Sequence, residues 1–279
     1  MELGKKQILY MDHRTDFGVY LRDSEETEGP NECVLLPRRQ VPPGLGEGDA
    51  VEVFLYKDSD DRLIATREEP AMELHEIAVL EVAQVNRVGA FLKWGLSKDL
   101  LLPYGEQTRK VEKGERVPVA LYVDKSSRLC ATMKIYDYLT SDAPYRKDDE
   151  IDGTVISVNP EYGAFIAVDN RYHGLIQKKE MIRRLLPGEM VHCRVSGVRD
   201  DGKLNLSLRK KAHVQMDDDA ETILDKLEYN EGFLPFHDKS SPDDIRREFS
   251  MSKNEFKRAI GRLYKQRKIR IENDGIYRS

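Results

Sequence analysis

Three short motifs place aromatic or apolar side chains on either side of a glycine, and these residues are the best suited to binding chemistry. The motifs are Phe17-Gly18-Val19-Tyr20-Leu21, Val88-Gly89-Ala90-Phe91-Leu92 and Tyr162-Gly163-Ala164-Phe165-Ile166. Exposed rings at a strand entry stack on flat π systems such as nucleobases, which contributes about 1–3 kcal/mol per base. The same rings would equally well fill a small hydrophobic core. A single motif leaves both interpretations open.

The motifs belong to a unit that recurs three times, because similar segments follow each of them in the same order. The glycines Gly18, Gly89 and Gly163 are 71 and 74 positions apart. Each unit closes with a basic residue before a short apolar strand, and these residues are Arg62, Arg128 and Lys203. Short alternating strands separated by Gly, Asn and Asp turns are typical of a small five-stranded barrel.

The last sixty residues have a different, helical pattern. Ser241-Pro242 is typical of a helix start, and Ser252 with Glu255 forms a capping box. A turn at Asn273-Asp274-Gly275 then predicts a hairpin. The order of three helices and a hairpin predicts a winged helix-turn-helix. We therefore expect a multi-domain, mostly β chain with three tandem five-stranded OB barrels at 1–70, 71–147 and 148–214, followed by an α+β winged-helix domain at 215–279. Residues 136–149, between the second and third barrels, are expected to be a linker.

The second and third strands of such a barrel form the face that binds oligonucleotides. Because the ring motif recurs beside basic residues, we favour exposure and binding over burial in the core. His173 adjoins the third strand of the last repeat and is a weaker candidate, while Trp94 is out of phase with Phe91 and is expected in the core. The predicted binding residues of the barrels are Phe17, Tyr20, Phe91, Lys93, Arg128, Tyr162, Phe165, His173 and Lys203.

The helix predicted from Ser252 to about Arg267 is strongly basic. Residues 252–270 contain eight Lys and Arg and one acidic residue. A basic face opposite an apolar stripe suits a recognition helix that contacts phosphates. A solvated helix face or a protein contact would have the same pattern. The candidate residues are Lys257, Arg258, Arg262 and Lys265.

Composition limits the other function classes. The net charge is −5, and residues 1–70 hold nine basic and sixteen acidic residues, so a nucleic-acid surface must be local. The sequence has no long apolar run or signal-peptide core, and its three cysteines form no pair, so we expect a cytoplasmic protein. It has no nucleophile–base motif and no metal-ligand spacing. We expect no enzymatic activity, metal, cofactor, small-molecule substrate or membrane partner.

The third repeat resembles the S1 RNA-binding domain, an OB-fold. The matching segments are Gly153-Thr154-Val155, Tyr162-Gly163-Ala164-Phe165, Gly174-Leu175-Ile176, Pro187-Gly188-Glu189 and Asp201 to Leu208. The whole chain resembles the bacterial CvfB/YitL (conserved virulence factor B) family, most specifically at Trp94-Gly95, at Lys98 to Pro103 and at Met251 to Lys265. This resemblance implies S1-like repeats, a C-terminal winged helix and a non-catalytic post-transcriptional regulator. It assigns base stacking to Tyr162 and Phe165 and the basic position to Lys203. One departure is Gln177, where many S1 domains have histidine.

These observations predict a single-stranded RNA-binding protein, with a role for the first, acidic repeat in doubt. Two other functions stay open. The winged helix would bind DNA in a transcription regulator, or the barrels would contact protein in a scaffold on a ribosome or nuclease complex.

Overall fold

The computed structural model describes residues 1–24, 33–58, 60–209 and 212–279. The chain forms two compact units, Met1–Leu208 and Arg209–Ser279. The first unit contains the three repeats, and the second contains the three helices and a small sheet. This architecture of three five-stranded barrels and a winged helix confirms the predicted fold class.

Each repeat contributes five strands and a single-turn 3₁₀ helix after its third strand. The first repeat contains β1 (Lys6–Thr15), β2 (Gly18–Arg22), β3 (Val34–Pro37), β4 (Ala50–Lys57) and β5 (Leu63–Thr66). The second contains β6 (Ile77–Val85), β7 (Gly89–Lys93), β8 (Leu100–Pro103), β9 (Arg116–Val123) and β10 (Leu129–Thr132). The third contains β11 (Glu150–Asn159), β12 (Gly163–Val168), β13 (Tyr172–Gln177), β14 (Met190–Val198) and β15 (Leu204–Ser207). The 3₁₀ helices are Arg38–Gln40, Tyr104–Glu106 and Lys178–Glu180.

The three repeats share one strand order but differ in how fully hydrogen bonds close the barrel. The first and third close through a parallel pair, β3 with β5 and β13 with β15, whereas β8 and β10 are not paired. The parallel contact comprises three residue pairs in the third barrel, Gly174–Leu204 to Ile176–Leu206, and one pair in the first, Leu35–Ile64. The second barrel therefore has a seam between β8 and β10.

The glycine of each motif is required by a close approach of two strands. A Cβ at Gly18, Gly89 or Gly163 would lie 2.0, 2.3 or 2.1 Å from a carbonyl oxygen of the neighbouring third strand. These distances are far inside van der Waals contact, and the three glycines also have positive φ angles. The repeated glycine is therefore a barrel-forming residue, which leaves the flanking rings available for another role.

A buried hydrogen bond ties the last strand of each barrel to its 3₁₀ helix. The hydroxyl of Thr66 donates to Gln40 at 2.9 Å, and that of Thr132 donates to Glu106 at 2.7 Å. In the third barrel the Ser207 hydroxyl donates to a carboxylate oxygen of Glu180 at 2.8 Å. All three hydroxyl-bearing residues are buried. Loss of the acceptor in any of these hydrogen bonds would leave a buried hydroxyl group without it.

The first two barrels interlock through aromatic packing. Phe54 on β4 is buried in the core of the second barrel, with its ring edge-on to Trp94 at a centroid distance of 5.8 Å. The Trp94 indole N–H donates to the Lys98 carbonyl at 2.7 Å. The prediction that Trp94 belongs to the core is confirmed.

The second and third barrels pack through the segment expected to be a linker. It begins with a 3₁₀ helix, Ile135–Tyr138, whose Ile135 is buried together with Leu139. They form one apolar cluster with Ile77 and Ala120 of the second barrel and with Ile156 and Ala167 of the third. The segment expected to be a linker is therefore held between the two barrels at Leu139, while more than half of residues 136–149 remain exposed.

The second unit has the predicted helix–helix–helix–hairpin order with one additional strand. Ser241 caps the second helix and Ser252 with Glu255 forms the predicted capping box of the third. Buried Phe256, Ala259, Ile260 and Leu263 face the core. Its elements are α1 (Ala212–Tyr229), β16 (Phe233–Leu234), α2 (Pro242–Phe249), α3 (Lys253–Lys265), β17 (Ile269–Ile271) and β18 (Ile276–Arg278). The unpredicted β16 pairs with β18 and makes the wing three-stranded.

Candidate nucleic-acid interface

Strand register places the second ring of each motif at the same position of each barrel. Tyr20 pairs with Leu35, Phe91 with Leu101 and Phe165 with Leu175. The basic residue before the last strand stands beside this position in every repeat. The predicted residues thus define three equivalent faces, one per barrel, and each face can be compared with the other two.

The first side chain of each motif lies in the turn before the second strand and projects into solvent. Phe17, Val88 and Tyr162 are 78%, 58% and 61% exposed. Backbone hydrogen bonds hold these turns, since the Phe17 carbonyl accepts from Arg38 N–H at 2.8 Å and the Tyr162 carbonyl accepts from Lys178 N–H at 3.0 Å. Phe17 and Tyr162 are not core residues. Both present a ring that is free to stack.

The face of the second barrel is an open cavity of about 270 Å³. Phe91 is half-buried and lines it together with Val88 and Leu101, and Arg128 lies at its margin. The cavity follows the seam between β8 and β10. Tyr56 and Lys57 of the first barrel line its other side. The structure therefore brings an aromatic ring, apolar walls and cations around one unfilled space.

Two predicted cations of this barrel are engaged in ion pairs. The Arg128 guanidinium lies 3.0 Å from the Asp124 carboxylate, which raises the pKa of Arg128. The Lys93 Nζ lies 2.7 Å from Glu81, and this hydrogen bond raises the pKa of Lys93. Both side chains are exposed, so these pairs mainly orient the charges and add little stability. Lys93 does not line the cavity, unlike Arg128.

On the face of the first barrel, the candidate residues already contact other side chains of the same barrel. The Tyr20 ring stacks on His13 at 4.8 Å with an interplanar angle of 14°. Arg62 is held by Asp58 at 2.7 Å and by Asp60 at 3.0 Å. One face of the Tyr20 ring is thus used internally, while the Arg62–Asp58 pair is the counterpart of the Arg128–Asp124 pair of the second barrel. This geometry agrees with the doubt about the acidic first repeat.

The face of the third barrel holds the candidate residues Phe165, His173 and Lys203 together, and Tyr136 and Arg199 line it as well. Tyr136, from the 3₁₀ helix between the barrels, lies over His173 at a centroid distance of 4.4 Å and edge-on to Phe165 at 6.1 Å. The Lys203 Nζ is 5.6 Å from the Tyr136 ring centroid. Hydrogen bonding to the Tyr136 hydroxyl and then to Asp201 raises the pKa of Lys203.

His173 is buried on this face rather than exposed. Desolvation, followed by the charge of Lys203, lowers the pKa of His173, although a hydrogen bond to the backbone of Leu139 acts in the opposite direction. The imidazole therefore favours its neutral form. Gln177 pairs across the sheet with Gly163, next to the exposed Tyr162. The Gln177 amide can form hydrogen bonds at this position, but it has no ring that could stack on a base.

Two residues of this face were missed by sequence reasoning. Tyr136 was assigned to a linker, although the apolar pair Ile135 and Leu139 around it signalled burial. Arg199 also lines the face, and it stands in the hairpin position that Asp58 and Asp124 occupy in the other barrels. An alignment of the three hairpins would have shown this replacement of an acid by a base.

The predicted helix α3 exposes most of its basic candidates. Lys257, Arg258 and Lys265 are exposed, while Arg262 is partly buried. They lie on the helix surface away from the buried Phe256 stripe. An exposed cationic face is the feature with which such a helix contacts phosphates.

Residues 1–24, 33–58, 60–209 and 212–279 contain no group of three or more His, Cys, Asp or Glu arranged to hold a metal ion. None of the helices in those ranges is long and apolar enough to cross a membrane.

Comparison with known proteins gives matches along the whole chain. The S1 domain family matches residues 3–68 and 76–134, the second domain of the virulence regulatory factor CvfB matches 137–210, and the CvfB-like winged helix domain matches 221–277. YitL of Bacillus subtilis strain 168 is 35% identical over 99% of this chain and 94% of its own length. Conserved virulence factor B of Staphylococcus aureus is 32% identical over 89% of this chain and 87% of its own length.

A solved structure from Streptococcus pneumoniae, described as a multidomain protein with nucleic acid binding domains, is 26% identical. The match covers 99% of this chain and 98% of the pneumococcal chain, with a TM-score of 0.49. The domain matches and the two long relatives agree in order and extent with the barrels and the winged helix observed in the structure. The chain belongs to the CvfB/YitL family, whose domains are of nucleic-acid-binding types.

Proposed function

We propose that the chain is a non-catalytic, single-stranded RNA-binding protein that acts in post-transcriptional regulation in the bacterial cytoplasm. The observation that carries this proposal is the open cavity on the second barrel. There Phe91 and Val88 supply apolar and aromatic surface, and Arg128 supplies a cation, around about 270 Å³ of space.

The shape of this cavity favours an unpaired base over a duplex. A base in a duplex is already stacked on both faces, so entry into a side pocket requires unstacking and unpairing. A single strand offers its bases freely and gains stacking on an exposed ring. The rings of Phe17 and Tyr162 lie at the equivalent rim of the other barrels, so a strand can meet rings of similar placement along the unit.

The cavity also has an acceptor that suits the 2′-hydroxyl of RNA. Asp99 and Lys98 line the space beside Arg128. A carboxylate is an acceptor for a hydroxyl or an exocyclic amine, and the 2′-hydroxyl is what distinguishes RNA from DNA at a given position. A regulatory role is supported by the relatives named conserved virulence factor B and by the virulence regulatory factor CvfB domain match.

Competition binding tests this proposal. A labelled single-stranded RNA is bound to the full chain and competed with unlabelled RNA, single-stranded DNA or duplex DNA of the same sequence, at several salt concentrations. We expect single-stranded RNA to compete best. Duplex DNA that displaces the label at concentrations as low as RNA would refute the proposal and support the transcription-regulator alternative.

The winged helix is a second candidate nucleic-acid surface, favoured by the exposed Lys257, Arg258 and Lys265 on α3. Its substrate would be duplex DNA or the same RNA strand. Each phosphate contact removed lowers the slope of log affinity against log salt by roughly one. Arg258→Ala with Lys265→Ala should flatten that slope for the nucleic acid that α3 contacts and leave the slope for any other unchanged.

A further inference from the structure

The cavity between Phe91 and Arg128 on the second barrel measures about 270 Å³, and the corresponding cavity between Phe165, His173 and Lys203 on the third barrel about 30 Å³. Phe165 and Tyr136 also line a separate cavity of about 320 Å³. The wall residues correspond in position, with Arg128 replaced by Lys203 and Leu129 by Leu204. Tyr136 and Leu139 of the smaller cavity come from outside the third barrel, and the ring of Tyr136 contacts both Phe165 and His173.

Tyr136 contacts the groups that a bound base would use. Its ring lies over His173 at 4.4 Å with a tilt of 47°, stands edge-on to Phe165 at 6.1 Å, and has the Lys203 Nζ 5.6 Å from its centroid. Stacking on a ring and a cation over the π face are the interactions by which a nucleobase is held on such a surface. The tyrosine nevertheless remains 45% exposed, so it is accessible to a competitor from solvent.

The backbone at Tyr136 is fixed, while a neighbouring cavity can accept its side chain. Ile135 and Leu139 are 2% and 8% exposed and anchor the turn on both sides. The separate cavity of about 320 Å³ adjoins the ring on the side of Met133, Lys134 and Ser157. A rotamer change about the side-chain bonds of Tyr136 would move its ring toward this space without unfolding the turn.

We propose that Tyr136 is an internal plug of the nucleobase site on the third barrel. In the free protein it fills the position of a base between His173, Phe165 and Lys203, and an incoming base displaces it. This inference rests on the proposed function, since the displacing ligand is a base of single-stranded RNA. The second barrel, whose equivalent site is open, is the first to receive a base.

A plug reduces the apparent affinity in proportion to the fraction of molecules in which the site is open, because only those molecules can bind the base. Full-length Tyr136→Ala should therefore bind a labelled single-stranded oligouridine of about 12 nucleotides more tightly than the wild type, by about threefold to tenfold. Adding Phe165→Ala should abolish the gain. Tyr138→Ala is the matched control, because Tyr138 lies on the same turn with its ring beside His75, 6.0 Å away. Its affinity should equal that of the wild type.

Weaker or unchanged binding of Tyr136→Ala would overturn the proposal, and weaker binding would make Tyr136 part of the stacking surface.

A second measurement needs no RNA. The His173 imidazole is titrated by NMR, with His173→Gln identifying its signals. Loss of Tyr136 should raise its pKa toward the ordinary histidine value, because the ring that buries it is gone. An unchanged titration would overturn the plug itself. Absence of RNA binding in every variant would refute the proposed function instead.

Discussion

Phe91→Ala is the substitution that most directly measures the contribution of a barrel face. The ring is half-buried, so one side rests on the barrel and one side faces the cavity. A single available face limits the loss to the lower part of the stacking range, about 1–2 kcal/mol. That corresponds to a decrease in RNA affinity of about fivefold to thirtyfold.

The repeats provide a matched control for this measurement. Tyr20 occupies the same strand position in the first barrel, but its ring is stacked on His13 at 4.8 Å. Tyr20→Ala should change RNA affinity by less than about twofold, because a ring already stacked within its own barrel has little left to offer a base.

Fluorescence anisotropy with a labelled single-stranded RNA measures both variants, and the denaturant midpoint of each confirms that it is folded. Equal losses for the two variants would refute the reasoning, since it would mean that internal stacking does not occupy the first face. No loss for Phe91→Ala would show that the open cavity is not a base site.

Three further predictions concern stability. Thr132→Val removes the buried hydrogen bond to Glu106 and should lower the free energy of unfolding by about 1–3 kcal/mol in a denaturant titration, with RNA affinity unchanged in native buffer. Gly89→Ala would place a methyl group 2.3 Å from a carbonyl oxygen and should destabilise by at least ~2 kcal/mol, whereas Gly105→Ala, with open space around it, should stay within about 0.5 kcal/mol. Burial lowers the pKa of His173 below its ordinary 6.5, so the unfolded state binds the proton more readily and stability should fall as the pH drops below 6.5. His173→Gln should reduce that fall, measured by denaturant midpoints at several pH values.

The fold could be predicted from the sequence because its signals are local and repeated. Strand alternation, turn residues and the spacing of Gly18, Gly89 and Gly163 each depend on a few neighbouring residues, and three copies made the pattern unambiguous. The capping residues Ser241 and Ser252 likewise specify helix starts through contacts within one turn. The open seam of the second barrel was not predictable in this way, because it depends on how closely β8 and β10 approach each other.

The candidate site was predicted only in part, for a physical reason. Sequence by itself determined which residues stand on the second strand and that Phe17 and Tyr162 precede its glycine, since these follow from the motif. Tertiary structure alone decided which of those rings is available. His13 stacks on Tyr20 and Tyr136 contacts both His173 and Phe165, whereas the ring of Phe91 borders an open cavity that no such ring fills. Such contacts join residues from different strands or different repeats, and their formation depends on how whole surfaces pack together.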